Sequence, residues 1–305
     1  MRHDWLFLLV ASLCLARKRW FFLAGATLVW AGLLRVFPLA LFFGPAVIIA
    51  VYLWRRRTLH WSHRRFIAGA AIMGSLLLAT STAVTSVQAY RDFAHHISVH
   101  KNTPLTNHMG LPVMLSHDWD GRMVFTQDDR LDDPFAGWKE GRTERLAQLK
   151  PVFYAICLFV LAWIAWTLHR TRLLWIGIPM GIPAIISLTN LTCYYYSIFL
   201  TLAVLTRGRP TIGPLLMAGG AASQVLLDRF WFIDDRYTAQ SYLFFALGLL
   251  ILFAMSRPFS LRAIQEWIAS RPAAARRSQP RQDTAQAATP EEPDAEAAVG
   301  AASES

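Results

Sequence analysis

The sequence is short of acid. No Asp or Glu stands between Asp4 and Asp92, and none between Glu144 and Asp228. Only 16% of the 305 residues are charged, against about 25% in an ordinary soluble domain. That shortage excludes a water-soluble globular chain. Cysteine is also scarce: Cys14, Cys157 and Cys193 all lie in apolar segments, which excludes a disulfide framework or a cysteine metal site. A glycine-rich phosphate loop, HExxH, a paired CxxC and GxSxG are all missing. The common soluble-enzyme chemistries therefore have no foothold.

What is present is hydrophobicity, at 54% of residues, arranged in runs that end in short basic clusters. This is the pattern of a polytopic membrane protein. Apolar runs predict helices near 5–16, 20–36, 38–54, 65–90, 151–168, 172–188, 190–206, 211–227 and 239–255. The expected fold is an all-α transmembrane bundle of about nine spans. Spanning takes roughly 17–25 residues, so the first run is short. Pro38 divides what would be one overlong run into two helices. The N-terminal 16 residues look like a signal peptide ending at Ala16. Arg17, Lys18 and Arg19 follow at once, however, and predict a retained helix.

The formal net charge of +10 could suggest nucleic acid, but the placement of the charges excludes it. Basic knots lie at Arg17–Arg19, at Arg55–Arg57 with Arg64 and Arg65, at Arg170 with Arg172, at Arg207 with Arg209, and from Arg257 onward. With the predicted helices all five fall on one side, which the positive-inside rule makes cytoplasmic. The expectation is a multi-pass protein of the cell's inner or plasma membrane with a cytoplasmic C-terminus. Residues 1–256 form its transmembrane domain, 257–270 an interfacial amphipathic helix, and 271–305 a disordered cytoplasmic tail. Residues 91–150 then form an extracytoplasmic loop with nine acids against eight Lys or Arg. Connections of that length are usually functional or disordered.

The polar residues of the outer face are the candidates for function. His96 and His100 are four apart, as a helical metal pair needs. The alternative is a wet interfacial helix with titratable surface groups, and no metal site is expected. Asp118-Trp119-Asp120 has the DxD form. It reads either as a holder of a divalent cation on a diphosphate or as a solvated loop turning at Gly121. Arg35, at the outer end of a helix, is placed to meet a lipid phosphate. Asn190 and the tyrosines Tyr194, Tyr195 and Tyr196 mark the outer boundary, and at least one tyrosine should face the bundle.

Three stretches, "RWFFLAGATLVWAGLLRVFPLALFFGPAVIIAVYLWRRR", "YRDFAHHISVHKNTPLTNHMGL" and "LTCYYYSIFLTLAVL", resemble bacterial GT-C-type membrane glycosyltransferases. The nearest group is the polyprenyl-phosphate-mannose-dependent mannosyltransferase-like proteins. The resemblance implies a many-helix fold whose active site, on the extracytoplasmic face, brings a lipid-phosphate sugar to an acceptor for a cell-envelope glycan or lipid. Such enzymes carry a catalytic acid in the first outer loop. Here only Asp4 precedes Arg35, so the expectation is a GT-C protein lacking its N-terminal catalytic part.

Sugar transfer needs a base and cations for the lipid phosphate. Asp4, Asp118 or Asp120 are the candidate bases, and Arg35, Arg91 and Arg236 the candidate cations. His96, Asn107, His108, Asn190 and Tyr195 are the candidate substrate contacts. No cofactor is expected, with a divalent cation as the open alternative. The expected partner is a membrane lipid or a polyprenyl-phosphate sugar. The second reading is a non-catalytic subunit with a membrane protein partner, or a lipid-binding component. The third is a transporter, disfavoured by the near absence of charge within the spans.

Overall fold

A computed structural model describes residues 3–256 of the chain. The segments 257–270 and 271–305, expected as an interfacial helix and a tail, lie outside the described residues. The described chain is all-α apart from one two-residue ladder. Helices α1 (Asp4–Arg17) and α2 (Phe21–Leu34) form a hairpin, followed by α3 (Phe37–Arg56), whose first turns are wound as 3-10 helix. Next come α4 (Trp61–Thr85) and α5 (Val87–Asn102). The loop segment between α5 and α9 carries α6 (Leu111–Ser116), α7 (Met123–Thr126) and α8 (Ala136–Gln148). The C-terminal half holds α9 (Lys150–Leu168), α10 (Leu174–Leu188), the 3-10 helix α11 (Cys193–Arg207), α12 (Ile212–Arg229) and α13 (Ile233–Ser256).

Each predicted apolar run contains helix, but not every one is long. Among the described residues, four helices, α3, α4, α9 and α13, are long and apolar enough to cross a membrane, against the nine spans expected. α1 and α2, at 14 residues each, reach only roughly 21 Å at 1.5 Å per residue.

Three departures from the sequence reading matter. The run expected at 65–90 begins at Trp61 and breaks at Ser86, whose φ of 109° no helix accommodates. The Ser86 hydroxyl then accepts from the Ala89 amide and starts α5. The run expected at 239–255 begins at Ile233, which takes Asp234 and Asp235 into its first turn. Acids there meet the positive end of the helix dipole. Third, β1 (His108–Met109) pairs antiparallel with β2 (Leu191–Thr192), with His108 opposite Thr192. Two residues per strand leave no periodicity to read.

The ends of the bundle differ in charge. At one end Arg17 sits over the Trp175 ring at 5.7 Å, and Phe21 meets Trp61 at 5.3 Å. This basic end gathers the turns between α1 and α2, α3 and α4, and α9 and α10. At the other, the loop end, the Cys193 amide donates to the Asn107 carbonyl at 3.0 Å, and the Gly110 amide to the Ser241 hydroxyl at 3.1 Å. Gly110 has φ +130°, and a Cβ there would strike the Thr189 carbonyl. Only glycine lets the loop lie this close to the end of α10.

α2 and α4 approach through Gly25 and Gly69. A Cβ at Gly25 would meet the Phe66 carbonyl oxygen, and one at Gly69 the Phe22 carbonyl oxygen. Small residues set such contacts between membrane helices because backbones can then touch. Gly69→Ala should therefore lower stability in detergent by about 1–3 kcal/mol. Gly220→Ala, where a Cβ meets nothing within 4 Å, should be neutral or slightly stabilising. Thermal unfolding of the two variants beside the parent checks the contrast.

Candidate functional site

A buried charge centre stands at the loop end. Asp234 and Asp235, 2% and 3% exposed, project from the first turn of α13. Asp235 receives Arg122 Nε on both oxygens, at 2.9 and 3.1 Å. Its Oδ1 also lies 3.1 Å from His117 Nε2. Asp234 accepts the Met123 amide at 3.0 Å. On the far side of His117, Arg142 donates to Nδ1 at 3.0 Å. Arginine has no acceptor, so Nδ1 takes the bond and the ring proton sits on Nε2, facing Asp235. Two arginines thus oppose two aspartates through a neutral histidine. Asp235 is paired directly with Arg122, while the buried Asp234 Oδ1 has no hydrogen-bond partner among the described residues.

Each member is held by its own element. Arg142 is only 6% exposed and lies over the Trp138 ring at 4.7 Å, one turn earlier on α8. Arg122 fits among Trp119, Phe125 and Phe232, its guanidinium carbon 5.3, 5.7 and 4.9 Å from the rings. Burial pulls the Arg142 guanidinium down to about 10, although Asp234 and Asp235 act to raise it. Burial, then Arg142, lowers His117 below the ordinary histidine value, while Asp235 opposes.

A cavity of about 340 Å³ adjoins this centre, lined among others by His108, Ser116, Arg142, Lys150 and Asn190. His108 Nδ1 and Asn190 Oδ1 are buried and have no hydrogen-bond partner among the described residues. Burial, then His100 and Arg142, drops His108 to about 4, so it is neutral at pH 7. Across the β1–β2 ladder lies a larger apolar groove of about 760 Å³ between α11, α12 and α13. Tyr194, Phe199, Met217 and Phe244 are among its walls, and Tyr196, whose buried hydroxyl has no partner among the described residues, also lines it.

The structure brings some of the sequence candidates together. His108 and Asn190 share the smaller cavity, and the Asn107 carbonyl ties the loop to α11. Tyr195 packs on Trp5, at 5.8 Å, and on Phe37, at 4.7 Å, and Arg35 stands over its ring at 5.9 Å. Asp4, exposed, is beside Trp5 and so reaches the same end. Arg236 donates from two nitrogens to the Phe230 carbonyl.

The remaining candidates stay apart. Arg91 and His96 are exposed on α5, and His96 meets only His95 through a ring contact. Asp118 is exposed and pairs with Arg145 at 3.1 Å, while Asp120 is exposed and offers its amide to Asp118. Among the described residues, no group of three or more His, Cys, Asp or Glu could hold a metal ion. Arg122, Arg142, Asp234 and Asp235 were not site candidates in the sequence. The signal was there for one of them, since Trp138 and Arg142 are spaced to stack on a single helix.

The chain matches no protein-family model, no curated protein and no solved structure. Its chemistry rests on the residues alone.

Two outcomes follow. Asp235→Asn leaves the half-buried Arg122 without its counterion and should cost about 3 kcal/mol, whereas Asp120→Asn, exposed, should stay within about 0.5 kcal/mol. Chemical denaturation in detergent measures both. Acid should also loosen the loop end. His108 and His117 titrate lower in the fold than the ordinary 6.5, so just below that pH the unfolded chain binds more protons. Stability is then full above about pH 6.5 and falls toward about 4, where His108 protonates in the fold. Each histidine contributes up to about 1.4 kcal/mol per pH unit. Unfolding temperatures over this range should show the loss, and His108→Gln should flatten it.

Proposed function

We propose that the chain is an integral membrane protein related to GT-C-type glycosyltransferases, and that it holds a lipid-phosphate-linked sugar at the extracytoplasmic face of the cell membrane. The observation that carries this reading is the apolar groove and the ring contacts that lead from it to Arg35. Tyr194 lines the groove and packs on Tyr195 at 4.5 Å, and Arg35 lies over Tyr195. A long isoprenoid tail suits the apolar walls, and a guanidinium beside them suits the phosphate. The polar cavity with His108, Asn190 and Lys150 supplies hydrogen-bonding groups for a sugar.

The extracytoplasmic assignment rests on the basic knots at the opposite end. The nine-segment path is supported by α11, whose 15 residues are wound as 3-10 helix. At about 2.0 Å per residue it extends roughly 30 Å, the thickness of a bilayer core.

A binding role is favoured over transfer, because no acid lines the polar cavity. Asp234 and Asp235 face Arg122, His117 and the Met123 amide instead. Such a protein would work with a membrane partner that supplies the catalytic acid. One observation favours transfer: exposed Asp4 and Arg35 flank the same Trp5–Tyr195 contact.

The test is binding of a polyprenyl monophosphate to the purified full chain in detergent. Arg35→Ala should weaken it about 10- to 100-fold, the size of a lost charge-assisted hydrogen bond. Met217→Trp, which crowds the groove, should weaken it too, while Arg130→Ala should not. Equal binding by all three variants overturns the proposal. If the parent transfers sugar and Asp4→Asn binds lipid without transferring, the chain is the enzyme itself.

A further inference from the structure

The basic end carries a site of its own. A cavity of about 460 Å³ lies where the α1–α2 turn, the end of α3, the start of α4 and the α9–α10 turn meet. Arg17, Arg19, Arg172, Tyr52, His60 and His63 are among its lining residues. A second cavity of about 290 Å³ shares Tyr52 and Arg172 with it and adds Arg55, Arg56 and Arg170.

Among the described residues, no acid pairs with these charges. The lining residues all fall within 5–91 or 145–227, and neither stretch contains an acid. The ion pairs among the described residues involve only Asp118, Asp128, Asp133 and Asp235, all at the loop end. Clustered guanidinium groups with no counterion repel one another, so the site is built for an anion from outside the described chain.

Three further features point into the cavity. His63 is 2% exposed, lines the space, and its Nδ1 has no hydrogen-bond partner among the described residues. The N-termini of α2 and α4, 14 and 25 residues long, both open here through Phe21 and Trp61, and bring the positive ends of two helix dipoles. Arg19 holds φ at 67°, a left-handed conformation uncommon for any residue but glycine. Local strain of this kind persists where the surroundings fix a side chain in place.

Depth indicates the source of the anion. α3 and α4, both long enough to span, end and begin at this cavity, at Arg56 and Trp61. That places it level with lipid headgroups, where basic pockets between helices take phosphate-bearing lipids.

We propose that this cavity binds a phosphate group, that of an anionic phospholipid headgroup, through Arg17, Arg19, Arg172 and His63. Lipid here steadies three turns that otherwise hold like charges together.

The experiment uses the full chain in detergent, with phosphatidylglycerol, phosphatidylcholine and inorganic phosphate as separate probes, read by native mass spectrometry and thermal unfolding. Phosphatidylglycerol should be retained and should raise the unfolding temperature, and phosphatidylcholine should do neither. Inorganic phosphate alone giving the shift, without retained lipid, would keep the phosphate site and assign it to a soluble ligand. Arg19→Gly removes a cation at a backbone position that suits glycine, so it should fold as well as the parent without lipid. It should nevertheless bind phosphatidylglycerol about tenfold more weakly, as should His63→Ala, which changes no formal charge. Arg130→Gln, the same charge change at the loop end, should bind as the parent does. The proposal is overturned if phosphatidylglycerol is not retained, or if Arg19→Gly and His63→Ala bind it like the parent.

Discussion

The pairing of Asp234 and Asp235 with Arg122, Arg142 and His117 is the interaction on which the loop end depends. It joins three stretches distant in sequence: the turn after α6, the middle of α8, and the first turn of α13. Without it, the loop segment would be tied to the bundle chiefly by a two-residue ladder and single hydrogen bonds from Gly110 and Cys193. The cost of desolvating four charges is met by mutual pairing, by the helix dipole of α13 and by aromatic faces on both arginines. The polar cavity with His108 and Asn190 then keeps its shape because Arg142, fixed in the charge centre, forms one of its walls.

A second constraint is the distribution of acid along the chain. Among the described residues, acids gather in 91–150 and at the start of α13, so positive charge at the loop end is balanced there. At the basic end it is not. One end therefore has an internal counterion set and a neutral histidine, while the other has guanidinium groups waiting for an external anion. This asymmetry explains why two quite different sites occur in one small bundle. It also agrees with a membrane orientation that keeps the basic end cytoplasmic.

Much of the fold is legible in the residues. Apolar runs mark the apolar helices, and Pro38 lies within the first turns of α3. The failures have particular causes. Ser86 breaks a run through one backbone angle that composition cannot encode. α13 starts six residues before the predicted helix because the polar stretch from Ile233 to Thr238 resembles a loop until its acids are matched with Arg122 and His117. For the site, His108 and Asn190 were recognisable as outer-face polar groups, but the importance of Arg142 was not. An arginine in a polar helix reads as solvated, and only the stack on Trp138 and the bond to His117 show that it is buried.

The most direct test of the charge centre is a double-mutant cycle on Arg122 and Asp235, read by unfolding free energies of the full chain in detergent. Arg122→Gln and Asp235→Asn each leave one buried charge without its partner, and the double variant removes both. The account predicts that the double variant loses less than the sum of the singles, with a coupling of about 1–3 kcal/mol. Strictly additive losses would show that the two side chains do not depend on each other, and would contradict a loop end clamped by this pair.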